Sequence, residues 1–442
     1  MQGTIERAPG FYDLDSAEYT RRTLVMATLQ ETFRSAGFGL VDVPIVEQLE
    51  LYRRKNGGQV LSRILGFTDQ NKRELALRPE FTASIIRALG PQVRGVQAPL
   101  RVAYGGPVFY RDPAHDDAPC QHTQAGVETL GAGDPETDAE IMSLACRAAL
   151  DLEVQGLHLV IGHLGPLRTL LSHLGVDGYE EQYLLEHLET YSRGGTTPDE
   201  ARRRLGLLGA DTANGERNGE AVEEALSTSL VTAIRDASVD ESRQVVASIL
   251  AGMGIDLSGS TRPPDEIIDR VLVKARRSVA LRAGSVWRVN LERALAFVER
   301  LGAIRGQPGP VLSATEALLR AYNVPDTALH ELRHLLPLLA ASGLGGVTIE
   351  LAPAMARGIA YYSGLIFELQ SIVPFHDATG ATNHRHTICG GGRYDGLAAA
   401  ITTEHSFPAL GFAFDLESIL QVIPETPKTA GNPRSRQGYE HA

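Results

Sequence analysis

The sequence predicts an α+β fold in which a β-rich core is interrupted by a long helical block. Strand-like runs at Leu100–Tyr110 and Gln121–Leu130 flank a polar loop that contains Pro113 and Pro119. From about Gly165 to Tyr322, leucine and alanine instead recur at three- and four-residue spacing. Strand character resumes at Val347–Leu351, Leu365–Leu369, Thr387–Cys389 and Leu410–Phe414. The densest stretch lies in this last part: CGGGRYDGL, Cys389 to Leu397. Consecutive glycines let backbone approach a ligand or another chain closely. RGIAYYSGLIFE (Arg357–Glu368) precedes it and ALGFAFDLESIL (Ala409–Leu420) follows it. All three are expected to wall one small-molecule site, with Gly390, Gly391 and Gly392 as its floor.

Composition narrows the class. The chain has 442 residues, 43% hydrophobic and 22% charged, with a formal net charge of −12. That length suits about two or three domains with a large core. An acidic chain is poorly suited to gripping a nucleic-acid backbone, which calls for clustered Lys and Arg. Cys120, Cys146 and Cys389 are far apart and form no CxxC, so neither a disulfide framework nor a thiolate zinc site is expected. A reducing, cytoplasmic setting follows as the default. The N-terminal MQGTIERAPGFYDLDS has no apolar core of a signal peptide. No uncharged apolar run approaches the ~18 residues that span a bilayer, so no membrane association is expected.

The elements follow in chain order. Asp15 or Ser16 is placed to cap a helix that runs to about Ala36 and ends at Gly37. FGLVDVPIVE then reads as a strand broken by Pro44, which belongs at an edge, a bulge or an interface. Residues 58–80 read as a hairpin leading into a short helix at Phe81–Leu89. The pair of strands over 100–130 forms a hairpin, and Asp134–Leu152 a helix opened by Pro135 and acidic residues. Leu157–Ile161 is a short strand and Leu329–Ala341 a helix. The predicted organisation is a core of residues 1–165 and 323–425, a helical insertion over 166–322, and a disordered polar tail over 426–442. The Arg202–Arg204 run reads as a solvated helix face rather than a nucleic-acid patch.

The chemistry-bearing residues are few. Glu80 and Thr82 stand at a strand-to-helix junction, and Gln124 and Glu128, four apart on one strand, share a face. Arg357, Tyr361, Tyr362 and Tyr394 add a cation and three phenols. Together they suit a small zwitterion with an ammonium and a polar side chain. His115-Asp116-Asp117 reads as a solvated turn, and His384 and His386 lack a third partner, so no metal site is expected.

The joint order of these stretches resembles the catalytic domain of class II aminoacyl-tRNA synthetases, specifically histidyl-tRNA synthetase. LRPEFTASIIRAL is similar to that family's LRPE-x-T segment, and YGGPVFY…QHTQAGVETLG to its second class motif. RGIAYYSGLIFE resembles the RGLDYY stretch, GGGRYDGL the GGRYDGL loop, and ALGFAFDLE the third class motif. The resemblance implies an antiparallel sheet of about six or seven strands flanked by helices. It also implies that Glu80, Thr82, Gln124, Glu128, Arg357, Tyr361, Tyr362 and Tyr394 match positions that hold histidine.

The departures from that pattern are equally informative. Tyr110 stands where the second motif has its arginine, with Arg111 one place along and so on the opposite face. Ala118 and Cys120 occupy the places of loop arginines. Asp415 replaces a glycine and Ser418 the arginine of the third motif, and Ala360 replaces the Asp of RGLDYY. The resemblance therefore implies a lost ATP site, since phosphate clamping depends on such cations. About twenty residues follow Leu420, where a synthetase continues into an anticodon-binding domain. A paralogue fits these features better: the regulatory subunit of ATP phosphoribosyltransferase. That resemblance implies a non-catalytic, cofactor-free homodimer that partners the short-form catalytic subunit in histidine biosynthesis, with L-histidine as its ligand and no tRNA. Three alternatives remain open: an active synthetase-like enzyme using Arg111 and Arg393, a stand-alone histidine sensor, and a bare scaffold.

Overall fold

The computed structural model describes residues 5–56, 63–95, 98–112, 118–176, 286–357, 362–377, 380–402 and 406–424, with scattered positions between 180 and 248. The helices are α1 (Ser16–Ser35), α2 (Leu49–Asn56), α3 (Thr82–Leu89), α4 (Pro135–Asp151), α5 (Gly165–Leu174), α6 (Val286–Gly302), α7 (Pro308–Ala321), α8 (His330–Ala341), α9 (Leu397–Thr402) and α10 (Leu416–Val422). The strands are β1 (Gly39–Leu40), β2 (Val46–Gln48), β3 (Gly66–Thr68), β4 (Glu74–Leu77), β5 (Leu100–Phe109), β6 (Gln121–Leu130), β7 (Leu157–His163), β8 (Val347–Leu351), β9 (Leu365–Asp377), β10 (Gly380–Arg393) and β11 (Ala409–Asp415).

One eight-stranded sheet runs in the order β1-β5-β6-β11-β10-β9-β7-β8. The six strands from β5 to β7 are antiparallel throughout, while the outer pairs β1/β5 and β7/β8 are parallel. The fold is thus α+β, with a mostly antiparallel sheet flanked by helices, as the sequence leads one to expect. A second sheet, β2-β4-β3, is small. Pro44 lies just ahead of its edge strand β2, where its missing N–H costs no ladder bond.

Local chemistry sets the helix ends. Asp15 and Glu18 form a reciprocal capping box at the start of α1: the Glu18 N–H donates to Asp15 at 2.8 Å and the Asp15 N–H to Glu18 at 3.3 Å. Gly37, at φ +85°, ends the turn that follows. Asp134 caps α4 through the Thr137 N–H at 2.8 Å, with Pro135 in the first turn.

Phe33 of α1 meets Phe412 of β11 edge-on, with ring centroids 5.7 Å apart. Phe367 and Phe414 pack on that same Phe412. This apolar face is the core under α1. Strand alternation sends Gly390, Gly392, Gly411 and Glu128 to the opposite face, where the candidate site lies.

The largest difference from expectation is in β9 and β10. Short strands at Leu365–Leu369 and Thr387–Cys389 become one long hairpin arm each. Residues 380–387, GATNHRHT, lack the apolar alternation that marks a strand, but pairing with β9 satisfies their backbone regardless. The short helices α2 and α9 have no counterpart in the sequence-based assignment. The helices α5, α6 and α7 are described within the span read as helical. Apart from scattered positions between 180 and 248, the rest of that span lies outside the described residues, as does the polar tail at 426–442. Arg202, one of those positions, is partly buried and pairs with Glu292 at 3.0 Å and Asp199 at 3.2 Å; Arg203 and Arg204 lie outside the described residues. Among the described residues, no helix is long and apolar enough to cross a membrane.

Candidate functional site

The site is built on register. Glu128 of β6 lies opposite Gly411 of β11, and Gly411 opposite Gly392 of β10. One row along, Ala413 faces Gly390, and Gly390 faces Glu368 of β9. A further row along β6, Gln124 faces Asp415. A bulge between Thr387 and Cys389 shifts the parity of β10, so that Arg385 and Thr387 share this face with Gly390 and Gly392.

The glycines do not form an open floor, as the sequence suggested. They are in-strand, and the space above each is filled by the chain's own atoms, backbone as well as side chain. A Cβ on Gly390 would fall within the Arg357 guanidinium, and one on Gly411 within the Glu128 carboxylate. A Cβ on Gly392 would lie 2.8 Å from the Tyr362 ring. Gly391, expected with them in the floor, points to the core face, where a Cβ would strike the Gly411 carbonyl and come within 2.7 Å of Phe412 Cβ. The glycines thus let Arg357, Tyr362 and Glu128 lie flat on the sheet.

Glu128 is the centre of the polar cluster. It is 1% exposed. The Thr82 hydroxyl, from the first turn of α3, donates to its Oε1 at 2.7 Å. The Tyr104 hydroxyl, from β5, donates at 3.3 Å, and the Tyr394 hydroxyl donates to Oε2. Such charge-assisted bonds are what a buried carboxylate needs. Burial, with Glu128 alongside, pushes the Tyr104 phenol well up, so it stays a donor. Tyr104 was missed by sequence reasoning, because its position mid-strand reads as a core aromatic.

The remaining expected residues gather around this centre. The Ala83 N–H donates to Glu80 at 3.2 Å, which places that carboxylate at the N-terminal end of α3. Gln124 Oε1 is buried and has no hydrogen-bond partner among the described residues. Arg357 Nη1 donates to Glu368 Oε1 at 3.0 Å. The buried Tyr362 accepts from Arg168 at 3.1 Å through its carbonyl. Tyr361 and Ala360 lie outside the described residues. Glu368 was overlooked in the sequence although it ends the RGIAYYSGLIFE stretch.

The end of β6 nearest α10 is different in character. Tyr110 stacks on His122, with centroids 4.1 Å apart and planes 4° apart. Its backbone N–H closes the hairpin onto the Cys120 carbonyl at 3.0 Å. The Cys120 N–H in turn donates to Gly10 at 2.7 Å, so the N-terminal segment crosses the hairpin beside Ala118 and Cys120. Arg111 is exposed, and its N–H donates to the Arg63 carbonyl. Asp415 caps α10 by accepting from the Ser418 N–H at 2.7 Å. Burial pushes the Asp415 carboxyl up. Burial also acts to raise Glu417, but the Thr123 N–H and the Arg22 guanidinium outweigh it, and Glu417 stays below the usual range. Tyr12 adds a hydroxyl donor to Glu417 at 3.0 Å. His122, Asp415 and Glu417 offer ligand atoms within 4.8 Å of one another. Glu417 is already neutralised by Arg22, so this cluster is an internal ion pair beside two polar groups. His115, Asp116 and Asp117 lie outside the described residues, as does the His384 side chain.

Arg393, the other arginine considered for phosphate binding, is buried. It donates to the Ala132 carbonyl at 3.2 Å and to Asp395 at 3.4 Å, and it pairs with Asp138. It braces the loop after β10 against α4 and does not reach an open surface.

Comparison with known proteins decides the family. The histidyl-tRNA synthetase family model matches residues 10–260 and 268–419. The chain belongs to the histidyl-tRNA synthetase family. One histidyl-tRNA synthetase relative, the histidine–tRNA ligase of Prochlorococcus marinus (strain MIT 9303), is 26% identical over 402 residues. That match covers 90% of this chain and 67% of the relative. An ATP phosphoribosyltransferase regulatory subunit of Symbiobacterium thermophilum is 31% identical over 210 residues, 45% of this chain and 52% of that protein. Among solved structures, an ATP phosphoribosyltransferase regulatory subunit/histidyl-tRNA synthetase from Bacillus halodurans C has a TM-score of 0.63 at 17% identity, covering 96% of this chain and 84% of that one. A histidine–tRNA ligase subunit from Alicyclobacillus acidocaldarius gives 0.53 at 25% identity, covering 96% and 98%. These neighbours share the class II histidyl-tRNA synthetase-like fold.

Proposed function

We propose that this member of the family is a non-catalytic regulatory subunit of short-form ATP phosphoribosyltransferase, the first enzyme of L-histidine biosynthesis. It would activate the catalytic subunit and help it respond to histidine. The observation that carries this reading is the contrast between the two ends of β6. At one end Glu128, Thr82 and Tyr394 form a bonded polar cluster, with Arg357 and Tyr362 over the adjacent glycines. At the other, Tyr110 stacks on His122 beside Asp415 and Glu417, and the motif resemblance makes this the end at which nucleotide phosphates would need cations.

A histidine zwitterion matches the first end. Glu128 and Glu80 offer carboxylates to its nitrogens, Gln124 Oε1 an unsatisfied acceptor, and Arg357 a cation for its carboxylate. Tyr361 belongs to the same set by sequence. Feedback would act by binding histidine differently in two quaternary states. A homodimer is part of this reading: Leu40, Ile45, Val46 and Phe67 are exposed apolar residues on or beside β1, β2 and β3. So are a core of 1–165 and 323–425 with a helical insertion at 166–322, a cytoplasmic location, and the absence of cofactor and tRNA.

The second reading is an active synthetase-like enzyme, favoured by the histidine–tRNA ligases among its relatives. Mixing the full chain with a short-form catalytic subunit and assaying phosphoribosyl transfer separates the two. The expected result is activation of at least tenfold, a coupling of about 1.4 kcal/mol, that is reduced by histidine. No activation and no co-purification would sink the regulatory reading and leave the synthetase-like enzyme, a stand-alone sensor or a scaffold.

A further inference from the structure

A chain of polar side chains runs across the sheet face away from the pocket. Glu368 Oε1 accepts from Arg357, and its other oxygen accepts from Gln370 Nε2 at 2.8 Å and from the Thr387 hydroxyl at 3.3 Å. Gln370 Oε1 accepts from Arg385 Nη1 at 3.4 Å. The same Arg385 nitrogen donates to Glu350 Oε2 at 3.0 Å, and Glu350 Oε1 accepts from Arg305 Nε at 2.8 Å. Glu350, Glu368 and Gln370 are all buried. Register explains the alignment: Glu368 pairs with Val160 of β7, and Val160 with Glu350 of β8.

We propose that Glu350, Arg385, Gln370 and Glu368 form a relay that positions Arg357, so that the charge at Glu350 governs how tightly the pocket holds a ligand carboxylate. The proposal rests on the reading of the pocket as a histidine site. Its physical basis is competition for one carboxylate. Glu350 holds Arg385, and Gln370 occupies the second oxygen of Glu368, which leaves Oε1 to fix Arg357 over Gly390. Without the charge at Glu350, the nearest acceptor left to Arg385 is the Gln370–Glu368 pair. Arg385 then draws Glu368 away, and Arg357 loses its fixed rotamer. Bonded networks of this kind couple their members beyond the pairwise contacts. Glu350, Arg385 and Gln370 are therefore positioning residues.

The test compares wild type, Glu350→Gln and the double variant Glu350→Gln/Arg385→Gln. Calorimetry uses L-histidine and histidinol, in which a hydroxymethyl group replaces the carboxylate. In Glu350→Gln, histidine affinity is expected to fall about threefold to tenfold while histidinol affinity stays within about twofold. Glu350→Gln releases both Arg305 and Arg385, but only Arg385 reaches the Gln370–Glu368 pair, so removing Arg385 in the double variant restores histidine binding, which repair of a merely structural defect would not do. Phenylglyoxal labelling, mapped to Arg357 by mass spectrometry, reads the relay without any ligand: its rate is expected to rise in Glu350→Gln and return in the double variant. Equal loss of both ligands, or unchanged labelling of Arg357, overturns the relay. If wild type binds neither ligand, the histidine reading falls, and the labelling alone decides the relay.

Discussion

Arg393→Ala is expected to cost the fold about 3–5 kcal/mol, because it leaves a buried carboxylate without its cation. Arg393 and Asp138 are each 7% exposed in their side chains. Arg393 also ties the Ala132 carbonyl and Asp395, and Asp395 in turn accepts from the Ala409 N–H at 2.9 Å. One side chain thus joins α4, the loop after β10 and the start of β11. The penalty should depend on pH. Burial pushes Asp138 up to about 6, although Arg393 pulls the other way. Its native value lies above the unfolded value near 4, so the native state holds the proton more tightly. Its contribution to stability therefore falls as pH rises through the window from about 4 to about 6. Without Arg393 the Asp138 carboxyl moves higher still. Urea unfolding should show a larger loss for Arg393→Ala at pH 8 than at pH 5. A loss under about 1 kcal/mol at both, or a larger one at pH 5, would contradict the assigned brace.

Neighbouring glycines should fail in opposite ways. At Gly391 a Cβ meets backbone, the Gly411 carbonyl, and lies 2.9 Å from Phe367 Cε1. Neither can yield without moving β11 or the core, so Gly391→Ala is expected to destabilise by about 1–3 kcal/mol. At Gly390 the atoms in the way belong to the flexible Arg357 side chain. Gly390→Ala should therefore leave the unfolding midpoint nearly unchanged while displacing the guanidinium. Histidine binding should weaken by about tenfold or more, the loss of one charge-assisted bond. Calorimetry and thermal unfolding on both variants check this. Equal destabilisation at the two positions would mean that Gly390 is structural and does not make room for Arg357.

Much of this architecture is legible in the residues. Asp15 and Ser16, as capping candidates, mark the start of α1, which the structure places at Ser16 with Asp15 as its cap. The 100–130 hairpin is announced by two apolar runs around a proline-bearing loop, and Gln124 and Glu128 share a face because strand period demands it. What was hidden is set by distant partners. The polar run 380–387 is strand only because β9 pairs with it. The bulge at Thr387–Cys389, which brings Arg385 and Gly390 to one face, is a property of register and not of composition. The links from Arg22 to Glu417 and from Arg357 to Glu368 join segments whose meeting no local pattern announces. Asp415 stands out in the sequence only as the replacement of a glycine; its role as the cap of α10 depends on where β11 ends.

The most direct measurement is ATP–pyrophosphate exchange by the purified full chain with L-histidine present. The proposed regulatory reading, in which the Glu128 cluster is kept while Asp415, Glu417 and the Tyr110–His122 stack stand at the other end of β6, predicts histidine binding with no exchange above the protein-free background. Histidine-dependent exchange would contradict it, and would make this chain an adenylating enzyme.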